Sequence, residues 1–277
     1  TWTSLPYSLN LFFLKKITGS IMERLRNKIV FITGASSGIG KACAEVFASE
    51  KANLILAARR IDRVNQLAEK LREKYEVKIK ALKLDVRDLN AVKESIESFG
   101  NEWEKIDILI NDAGLARGFN KIYEGVIDNW EEMIDTNVKG LLYVTRHVLP
   151  GMVERKKGHI INIGSTAGHE VYPNGNVYCA SKFAVNALTK GIRMDCLEHQ
   201  IKVTTIDPGM VETEFSIVRF SGDTARAAKV YEGLSPLSAE DIADAVLYCA
   251  TRPEHVNINE MILTPLAQAS STQVIRK

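Results

Sequence analysis

The amino-acid sequence predicts an α/β fold: a single Rossmann-like, doubly wound parallel sheet with helices on both faces. Strand-length apolar segments alternate with helix-length amphipathic segments, and short connections join them. That alternation is typical of βαβ units, which build a parallel sheet covered on both faces. The second observation is a glycine-rich turn after the first predicted strand, because such a turn leads into the first helix of dinucleotide-binding sheets.

The predicted strands are short apolar runs bounded by turn residues, and the predicted helices carry apolar residues at helical spacing. In chain order the strands lie at 28–32, 53–58, 77–84, 106–110, 159–163, 201–206 and 261–263. The helices lie at 41–48, 61–75, 88–99, 130–153, 177–198 and 239–250. Ligands of such sheets bind beyond the carboxyl ends of the strands, so residues that follow the strands are the first candidates for a functional site.

A long segment at about 209–237 separates the sixth strand from the last helix. Loops beyond about 12–15 residues are often functional. We therefore predict a mobile substrate lid here, with a short helix at 224–231. A rigid surface excursion is the alternative.

One catalytic domain is predicted for residues 22–277, because no internal repeat or low-complexity linker divides them. Residues 1–21 are interpreted as an N-terminal extension outside the fold. Their apolar run, 9–14, is far shorter than the roughly 20 residues that cross a bilayer. The lysines follow that run, whereas in a signal peptide the positive charges precede it. The alternative is a helix that binds a membrane surface or a partner.

The composition is that of a soluble globular protein: of 277 residues, 45% are hydrophobic and 25% are charged. The net charge of +2 gives no electrostatic case for a nucleic-acid partner, and no segment predicts a membrane partner. The four cysteines lack C-x-x-C spacing and are interpreted as buried thiols in a reducing compartment, which predicts a cytoplasmic location. The five histidines lack H-x-x-x-H spacing, so no metal site is predicted.

The glycine-rich turn spans Thr33 to Gly40 and has the spacing G-x-x-x-G-x-G. Glycines let a backbone approach phosphate groups closely, and the helix N-terminus offers unpaired N–H groups and the positive end of a dipole. The turn is therefore predicted to bind the pyrophosphate of a dinucleotide, with a turn that binds no ligand as the alternative. The cofactor-binding residues predicted here are Gly34, Ser36, Ser37, Gly38, Ile39 and Gly40.

Two arginines, Arg59 and Arg60, follow the second predicted strand. NAD-preferring sheets carry an acidic residue near this position, where it binds the ribose hydroxyls. Guanidinium groups instead suit the 2′-phosphate of NADP, so NADP is the predicted cofactor and Arg59 the favoured contact. The alternative is that the arginines only begin the next helix on its solvent side.

Tyr178 and Lys182 lie four residues apart in a segment predicted to be helical, so their side chains share one helix face. A nearby ammonium group lowers the pKa of a phenol from about 10. A tyrosine tuned in this way can exchange a proton with an alcohol or carbonyl oxygen near neutral pH. Taken alone, the spacing also fits a chance pair on a surface helix, but its occurrence downstream of the glycine-rich turn favours the catalytic interpretation.

Taken together, these motifs resemble the short-chain dehydrogenase/reductase family over roughly residues 27–264. In family order the sequence carries Thr33 to Gly40, Asn111-Asp112-Ala113-Gly114, Asn137, Ser165, Tyr178 with Lys182, and Pro208-Gly209. Asp112 is a departure, since the family often has a second asparagine at this position. The resemblance implies an oxidoreductase that acts on a CH–OH group.

The resemblance also implies residue roles. Tyr178 would be the catalytic acid/base, Lys182 would lower its pKa and hold the nicotinamide ribose, and Ser165 would bind the substrate oxygen. Asn137 would support a water relay to Lys182; the structural alternatives are a bond to nearby backbone for Asn137 and a strand-end cap for Ser165. The other implied cofactor contacts are Asp85 and Val86 near the adenine, Asn111, Ala113 and Gly114 near the ribose, and Pro208, Gly209, Val211 and Thr213 near the nicotinamide.

Segments 211–220 and 255–259 resemble one branch of the family, the NADP-dependent serine and L-allo-threonine dehydrogenases, also described as 3-hydroxy acid dehydrogenases. The implied reaction is oxidation at C3 of a small 3-hydroxy acid, or the reverse reduction. A 3-oxoacyl-carrier reductase and a broad carbonyl reductase stay open, and a non-catalytic NADP-binding regulator is the alternative of a different class. Members of the family are commonly tetramers, which implies a homotetramer.

Arg219 lies in the predicted lid between apolar residues. Its guanidinium could bind the carboxylate of a small hydroxy acid whose oxygen meets Ser165 and Tyr178. A solvated arginine, or one paired with an acidic neighbour, is the alternative that stays open.

Overall fold

The computed structural model describes residues 24–277, and these contain a seven-stranded sheet in which every neighbouring pair of strands is parallel. The strand order is β3-β2-β1-β4-β5-β6-β7. The strands are β1 Ile29–Thr33, β2 Asn53–Ala58, β3 Ile79–Lys83, β4 Ile108–Asn111, β5 His159–Ile163, β6 Lys202–Pro208 and β7 Glu260–Leu263. The predicted fold class is confirmed, whereas the interpretation of residues 1–21 falls outside the described residues.

The helices follow the strands and cover both faces of the sheet. They are α1 Gly38–Ser49, α2 Ile61–Tyr75, α3 Leu89–Glu97, α4 Ile127–Ile134, α5 Leu141–Arg155, α6 Asn176–Asp195, α7 Phe215–Arg219, α8 Thr224–Lys229 and α9 Ala239–Ala250. Helices α1, α2 and α9 pack on one face of the sheet, and α3 and α5 pack on the other.

Strand β1 shows why these segments form a central sheet. All five of its residues are buried, and neighbouring side chains point to opposite faces, so Val30 and Ile32 join one core while Phe31 joins the other. Fully burying one such side chain stabilises the fold by about 1.5–3 kcal/mol. An apolar run without alternation is therefore the pattern of a strand covered on both faces.

Most predicted segments agree with the structure to within about three residues at each end, and two differ in more than their bounds. The long helix expected at 130–153 is interrupted by a π-helical turn, Asp135–Gly140, between α4 and α5. A Cβ on Gly140 would lie 2.6 Å from a methyl group of Val86, so the turn contacts the chain after β3 more closely than a side chain would permit. The lid segment carries α7 as well as α8, and α7 was not predicted because its five residues are too few for a periodic signal.

Candidate active site

A cleft of about 630 Å³ lies beyond the carboxyl ends of the strands, where the glycine-rich turn, the chain after β4, β5 and β6, and the lid segment face one another. Most of the side chains predicted for a site line it. The predicted residues that do so are Gly34, Ser36, Ser37, Gly38, Ile39, Arg59, Arg60, Asp85, Val86, Ala113, Gly114, Ser165, Tyr178, Lys182, Pro208, Gly209, Val211, Thr213 and Arg219. The remaining three, Gly40, Asn111 and Asn137, lie behind the cleft wall.

Two features of the turn require glycine: a left-handed backbone conformation and the close approach of the Asp112 carboxyl. Gly34 and Gly38 have φ of +73° and +53°, in the left-handed region that favours glycine. A Cβ on Gly34 or Gly40 would lie 2.8 or 2.6 Å from Oδ2 of Asp112. Gly40 therefore faces the Asp112 carboxyl on the inside of the turn and does not line the cleft.

Arg60 reaches the glycine-rich turn, and the expectation that Arg59 is the favoured contact of a 2′-phosphate stays a prediction. The Arg60 guanidinium donates to Oγ of Ser36 at 3.1 Å and Oγ of Ser37 at 2.7 Å, and it pairs with Glu214 of the lid segment at 2.8 Å. Arg59 instead points toward Glu132, at 3.6 Å. Two hydroxyls and a guanidinium beside the N-terminus of α1 form a donor set that fits phosphate groups.

Of the predicted cofactor contacts near the ends of β3 and β4, Asp85 lines the cleft, whereas Asn111 lies in the core. The Arg87 guanidinium hydrogen-bonds to Asp85 at 2.6 Å and holds the pKa of that carboxyl below its usual value. Asn111 donates to Oγ1 of Thr145 at 3.1 Å and Oδ1 of Asn162 at 2.9 Å, so its side chain ties strands to helix α5. Among residues 24–277, its Oδ1 has no hydrogen-bond partner, and the ribose contact implied by the resemblance stays a prediction.

Helix α6 and the end of β5 bring three predicted catalytic residues together. Tyr178 and Lys182 are buried on one face of α6, 8% and 7% exposed. Nζ of Lys182 donates to the Ile163 carbonyl at 2.8 Å. Ser165 follows β5 and lies near enough to the Tyr178 phenol to act on its pKa, while its Oγ donates to the Pro208 carbonyl at 3.4 Å and accepts from the Ala167 N–H at 3.1 Å. Ser165 therefore caps the end of the strand, which is the structural alternative, and also lies beside Tyr178 as the catalytic interpretation requires.

The predicted direction of the Tyr178 pKa is wrong for this structure. Burial raises the pKa of the phenol above 10, and the Arg219 charge and the Ser165 hydrogen bond only partly oppose that rise. Nζ of Lys182 lies 6.0 Å from the centre of the Tyr178 ring. Burial lowers the pKa of Lys182 to about 8, with the carboxylates of Asp112 and then Asp207 acting in the opposite direction.

Asn137 lies in the π-helical turn and binds the backbone of the chain after β4. Its Oδ1 accepts from the Leu115 N–H at 2.9 Å, and its Nδ2 donates to the Leu115 carbonyl at 2.8 Å and to Oγ of Ser181 at 3.0 Å. These bonds connect the cleft wall to α6, which is the structural alternative considered for this residue. The water relay implied by the resemblance stays a prediction.

Arg219 lies inside the cleft, packed among aromatic rings. Its guanidinium carbon is 5.0 Å from the ring centres of both Tyr178 and Phe215. It donates to the Tyr172 hydroxyl at 3.0 Å, and its Nε is buried without a hydrogen-bond partner. A guanidinium beside the candidate acid/base, with a donor unused, is suited to an anionic group on a ligand.

The lid segment is anchored by residues that sequence motifs did not reveal. Arg117 donates to the Val218 carbonyl at 2.8 Å, and Arg276 near the end of the chain donates to the Val230 carbonyl at 3.0 Å. Gln268 accepts from the Met210 N–H at 2.8 Å. Arg117 and Val218 are about a hundred residues apart along the chain, and Gln268 and Arg276 belong to the C-terminal segment. No local sequence pattern could predict such contacts.

A polar cluster beneath Ser165 was also missed. Ligand-type atoms of His169, Asp207 and Glu260 lie within 4.8 Å of one another, although no sequence spacing links them. His169 contacts Oδ2 of Asp207 at 3.1 Å and Oε1 of Glu260 at 3.5 Å. The three residues come from a turn and two strands, and only the fold makes them neighbours.

The remaining expectations concern the state of the cysteines and the presence of a membrane-spanning helix. Cys43, Cys179, Cys196 and Cys249 are buried free thiols. Burial raises the pKa of the Cys179 thiol, which disfavours the reactive thiolate next to Tyr178. Within residues 24–277, no helix combines the length and the apolar character that crossing a membrane requires.

Comparison with known proteins gives a consistent result for sequence and for structure. The sequence profile described as short chain dehydrogenase matches residues 28–223. An NADP-dependent 3-hydroxy acid dehydrogenase of Schizosaccharomyces pombe is 46% identical over 257 residues, covering 92% of this chain and 99% of that protein. One from Salmonella typhi is 46% identical over 242 residues, covering 87% and 96%. A solved structure, the closed form of serine dehydrogenase complexed with NADP+, has a TM-score of 0.84 and 44% identity, covering 90% of this chain and 99% of that one.

Proposed function

This chain belongs to the short-chain dehydrogenase family and is an oxidoreductase, and from that premise we propose that it oxidises the C3 hydroxyl of small 3-hydroxy acids, such as serine or L-allo-threonine, with NADP. The reverse reduction is part of the same proposal. The observation that carries it is the guanidinium of Arg219, which lies against the ring of Tyr178 inside the cleft. A substrate whose oxygen meets Tyr178 would present a nearby carboxylate to that cation.

NADP as the cofactor is supported by two lines of observation. The relatives described above are named NADP-dependent, and the similar solved serine dehydrogenase is described as complexed with NADP+. In this chain, Arg60 with Ser36 and Ser37 offers charged and neutral donors where a 2′-phosphate would be recognised. We assign that contact first to Arg60, with Arg59 as the neighbouring cation.

The proposed catalytic roles follow from burial and hydrogen bonding. When bound, NADP supplies the nicotinamide that takes the hydride from the substrate carbon. Tyr178 Oη takes the hydroxyl proton in oxidation and returns it in reduction. Ser165 Oγ donates to the substrate oxygen and stabilises negative charge on it, while Lys182 binds the nicotinamide ribose and carries positive charge beneath the site. Because burial raises the Tyr178 pKa, the phenol is the acid ready for reduction near neutral pH, and oxidation should accelerate as the pH rises.

The substrate carboxylate is assigned to Arg219. A small 3-hydroxy acid has few groups for recognition, and a guanidinium can bind a carboxylate through two parallel hydrogen bonds. The aromatic rings of Phe215 and Tyr178 pack against Arg219, each with its centre 5.0 Å from the guanidinium carbon, and a partly apolar surrounding of this kind strengthens the pairing with a carboxylate. We extend the proposal to residues 22–277 as one catalytic domain whose lid is segment 209–237.

We also propose a cytoplasmic homotetramer. Exposed apolar side chains on and just after α6, Phe183, Met194 and Leu197, offer a surface for self-association. Light scattering on the eluting protein measures the assembly, and a particle of a single chain contradicts it. Fractionation of cells that express the full chain tests the location.

A substrate panel tests the proposed activity. The purified enzyme would be assayed with serine, L-allo-threonine and other small 3-hydroxy acids, with uncharged alcohols, and with a carrier-linked 3-oxoacyl substrate, each with NADP(H) and NAD(H). The proposal expects the highest kcat/KM for a 3-hydroxy acid with NADP. Preference for the carrier-linked substrate indicates a 3-oxoacyl-carrier reductase, equal rates on uncharged compounds indicate a broad carbonyl reductase, and binding of NADP without turnover of any compound indicates a regulator.

A further inference from the structure

We propose that Asp207 and His169 form a positioning pair that holds Ser165 in place for the substrate oxygen. The inference rests on the catalytic role of Ser165 in the proposed function. It concerns a buried carboxylate that does not face the cleft and a histidine from the turn after β5. Neither residue would touch substrate, so both would act through Ser165.

Asp207 lies at the point where β5 and β6 end. Ile163 pairs with Ile206, so the next residues, Gly164 and Asp207, stand beside each other. A Cβ on Gly164 would lie 1.7 Å from Oδ1 of Asp207, which means that the carboxylate occupies the space that a side chain would need. Asp207 is completely buried. A buried carboxylate is costly unless hydrogen bonds surround it, so its partners define what it does.

Those partners include the backbone of Ser165. Oδ1 of Asp207 accepts from the Ser165 N–H at 3.1 Å and from Oγ1 of Thr205 at 2.9 Å. Ser165 is extended at this point, with a φ of −175°, and its hydroxyl donates to the Pro208 carbonyl and accepts from the Ala167 N–H, in a position from which it also lowers the pKa of Tyr178. The amide anchor therefore sets where the Ser165 hydroxyl lies relative to Tyr178.

His169 holds the other carboxylate oxygen. Its Nε2 lies 3.1 Å from Oδ2 of Asp207, and because a carboxylate only accepts hydrogen bonds, the histidine nitrogen is the donor. The same nitrogen lies 3.5 Å from Oε1 of Glu260 on β7. The residue before His169, Gly168, accepts through its carbonyl from Nδ2 of Asn186 at 3.2 Å, and Asn186 lies one turn after Lys182 on α6. The turn that carries Ser165 and His169 is therefore tied to the helix that carries Tyr178.

This arrangement suits a role in positioning the Ser165 hydroxyl better than a role only in stabilising the fold. A hydroxyl that stabilises charge must already point at the substrate oxygen, and a misplacement of about 1 Å costs on the order of 10²-fold in rate. The Asp207 carboxylate fixes the backbone from which that hydroxyl projects. Its negative charge also acts on Lys182, so one buried group influences both neighbours of Tyr178.

Substitutions at His169 test the pair, because this side chain is 27% exposed whereas that of Asp207 is completely buried. His169→Ala removes the N–H that holds Oδ2, and His169→Gln keeps an N–H donor. We expect His169→Ala to lower kcat on the order of 10-fold, with KM and the NADP dissociation constant unchanged within about twofold, and His169→Gln to restore most of kcat. The matched control is His255→Ala, a histidine on an exposed loop, with wild-type kcat expected.

A second readout does not depend on turnover. Hydrogen exchange of the peptide that contains Ser165 should be faster in His169→Ala than in the wild type, in His255→Ala and in His169→Gln. A wild-type kcat in His169→Ala overturns the inference. It is also overturned if His169→Gln loses as much kcat as His169→Ala and both variants have a lowered Tm, because the loss then reflects destabilisation of the fold. If the wild type turns over no compound of the panel, the proposed function fails, and unchanged exchange at Ser165 then rejects the positioning contact on its own.

Discussion

The cleft has two walls that are built differently. The sheet wall consists of the glycine-rich turn, the ends of β4, β5 and β6, and helix α6, and the lid wall consists of segment 209–237. Backbone bonds and buried side chains hold the sheet wall, where Asp207 is completely buried. Exposed ion pairs contribute to the lid wall: Arg60 and Glu214, which bridge the walls, are 44% and 39% exposed. Such pairs stabilise by only about 0–1 kcal/mol.

The two walls therefore have different functions: the sheet wall carries the catalytic residues, and the lid wall carries the residue proposed to bind the substrate. Proton transfer needs atoms fixed within hydrogen-bond distance, so Ser165, Tyr178 and Lys182 lie on the wall that cannot easily shift. Substrate recognition tolerates movement, and Arg219 lies on the wall held by weaker contacts. Substitutions should therefore abolish turnover on one wall and alter affinity on the other.

The largest effect is expected at Tyr178, on the sheet wall. Tyr178→Phe keeps the ring against Phe215 and Arg219 but removes the oxygen that carries the proton. We expect kcat to fall by at least about 10²-fold, the scale of general acid–base catalysis, while the NADPH dissociation constant measured by fluorescence stays near the wild-type value. Turnover close to that of the wild type would remove Tyr178 from the mechanism.

Cofactor selection is the next effect, where the two walls meet. Arg60→Ala removes the guanidinium that contacts Ser36, Ser37 and Glu214, and we expect NADP affinity to fall about 10- to 100-fold with little change for NAD. Arg59→Ala is the matched comparison, and its effect should be smaller because Arg59 points toward Glu132. Calorimetry with both cofactors measures this. Equal losses for NADP and NAD would show that Arg60 only supports the turn.

On the lid wall, Arg219→Ala should raise KM for 3-hydroxy acids about 10-fold, because a charge-assisted contact with the carboxylate is lost. Activity on uncharged alcohols should change little. Arg226→Ala is the control, since that arginine also packs on a lid aromatic ring, Phe220, but does not line the cleft. Steady-state kinetics of both variants with 3-hydroxy acids and with uncharged alcohols measures the effect. An equal loss on both classes would assign Arg219 to folding of the lid.

The smallest effect is expected at Asp112, beneath the sheet wall. Its carboxylate raises the pKa of Lys182 toward the value of about 8, so Asp112→Asn should lower that pKa. Lys182 would then lose its charge at a lower pH, and the alkaline fall of kcat/KM for carbonyl reduction should begin at a lower pH than in the wild type. Profiles of both proteins between pH 6 and pH 10 measure the shift. An unmoved limb would mean that Lys182 ionisation does not limit the reaction.

Local pattern predicted most of the fold. The helices at 61–75 and 239–250 and the strands at 53–58 and 159–163 have the predicted bounds, since an amphipathic or fully apolar run carries its own boundary. The π-helical turn in the predicted helix at 130–153 was not predicted, and its close approach to Val86 at Gly140 is a tertiary contact that no local pattern contains.

The sequence by itself determined the sheet, the glycine-rich turn and the Tyr-x-x-x-Lys face, because each depends on backbone geometry within a few residues. Only the tertiary structure decided that burial raises the Tyr178 pKa, and that Arg219 packs against this ring. It also decided that Arg60 reaches Glu214, 154 positions away along the chain. Desolvation and long-range charge pairing depend on what the whole fold packs around a group, and no local spacing encodes that.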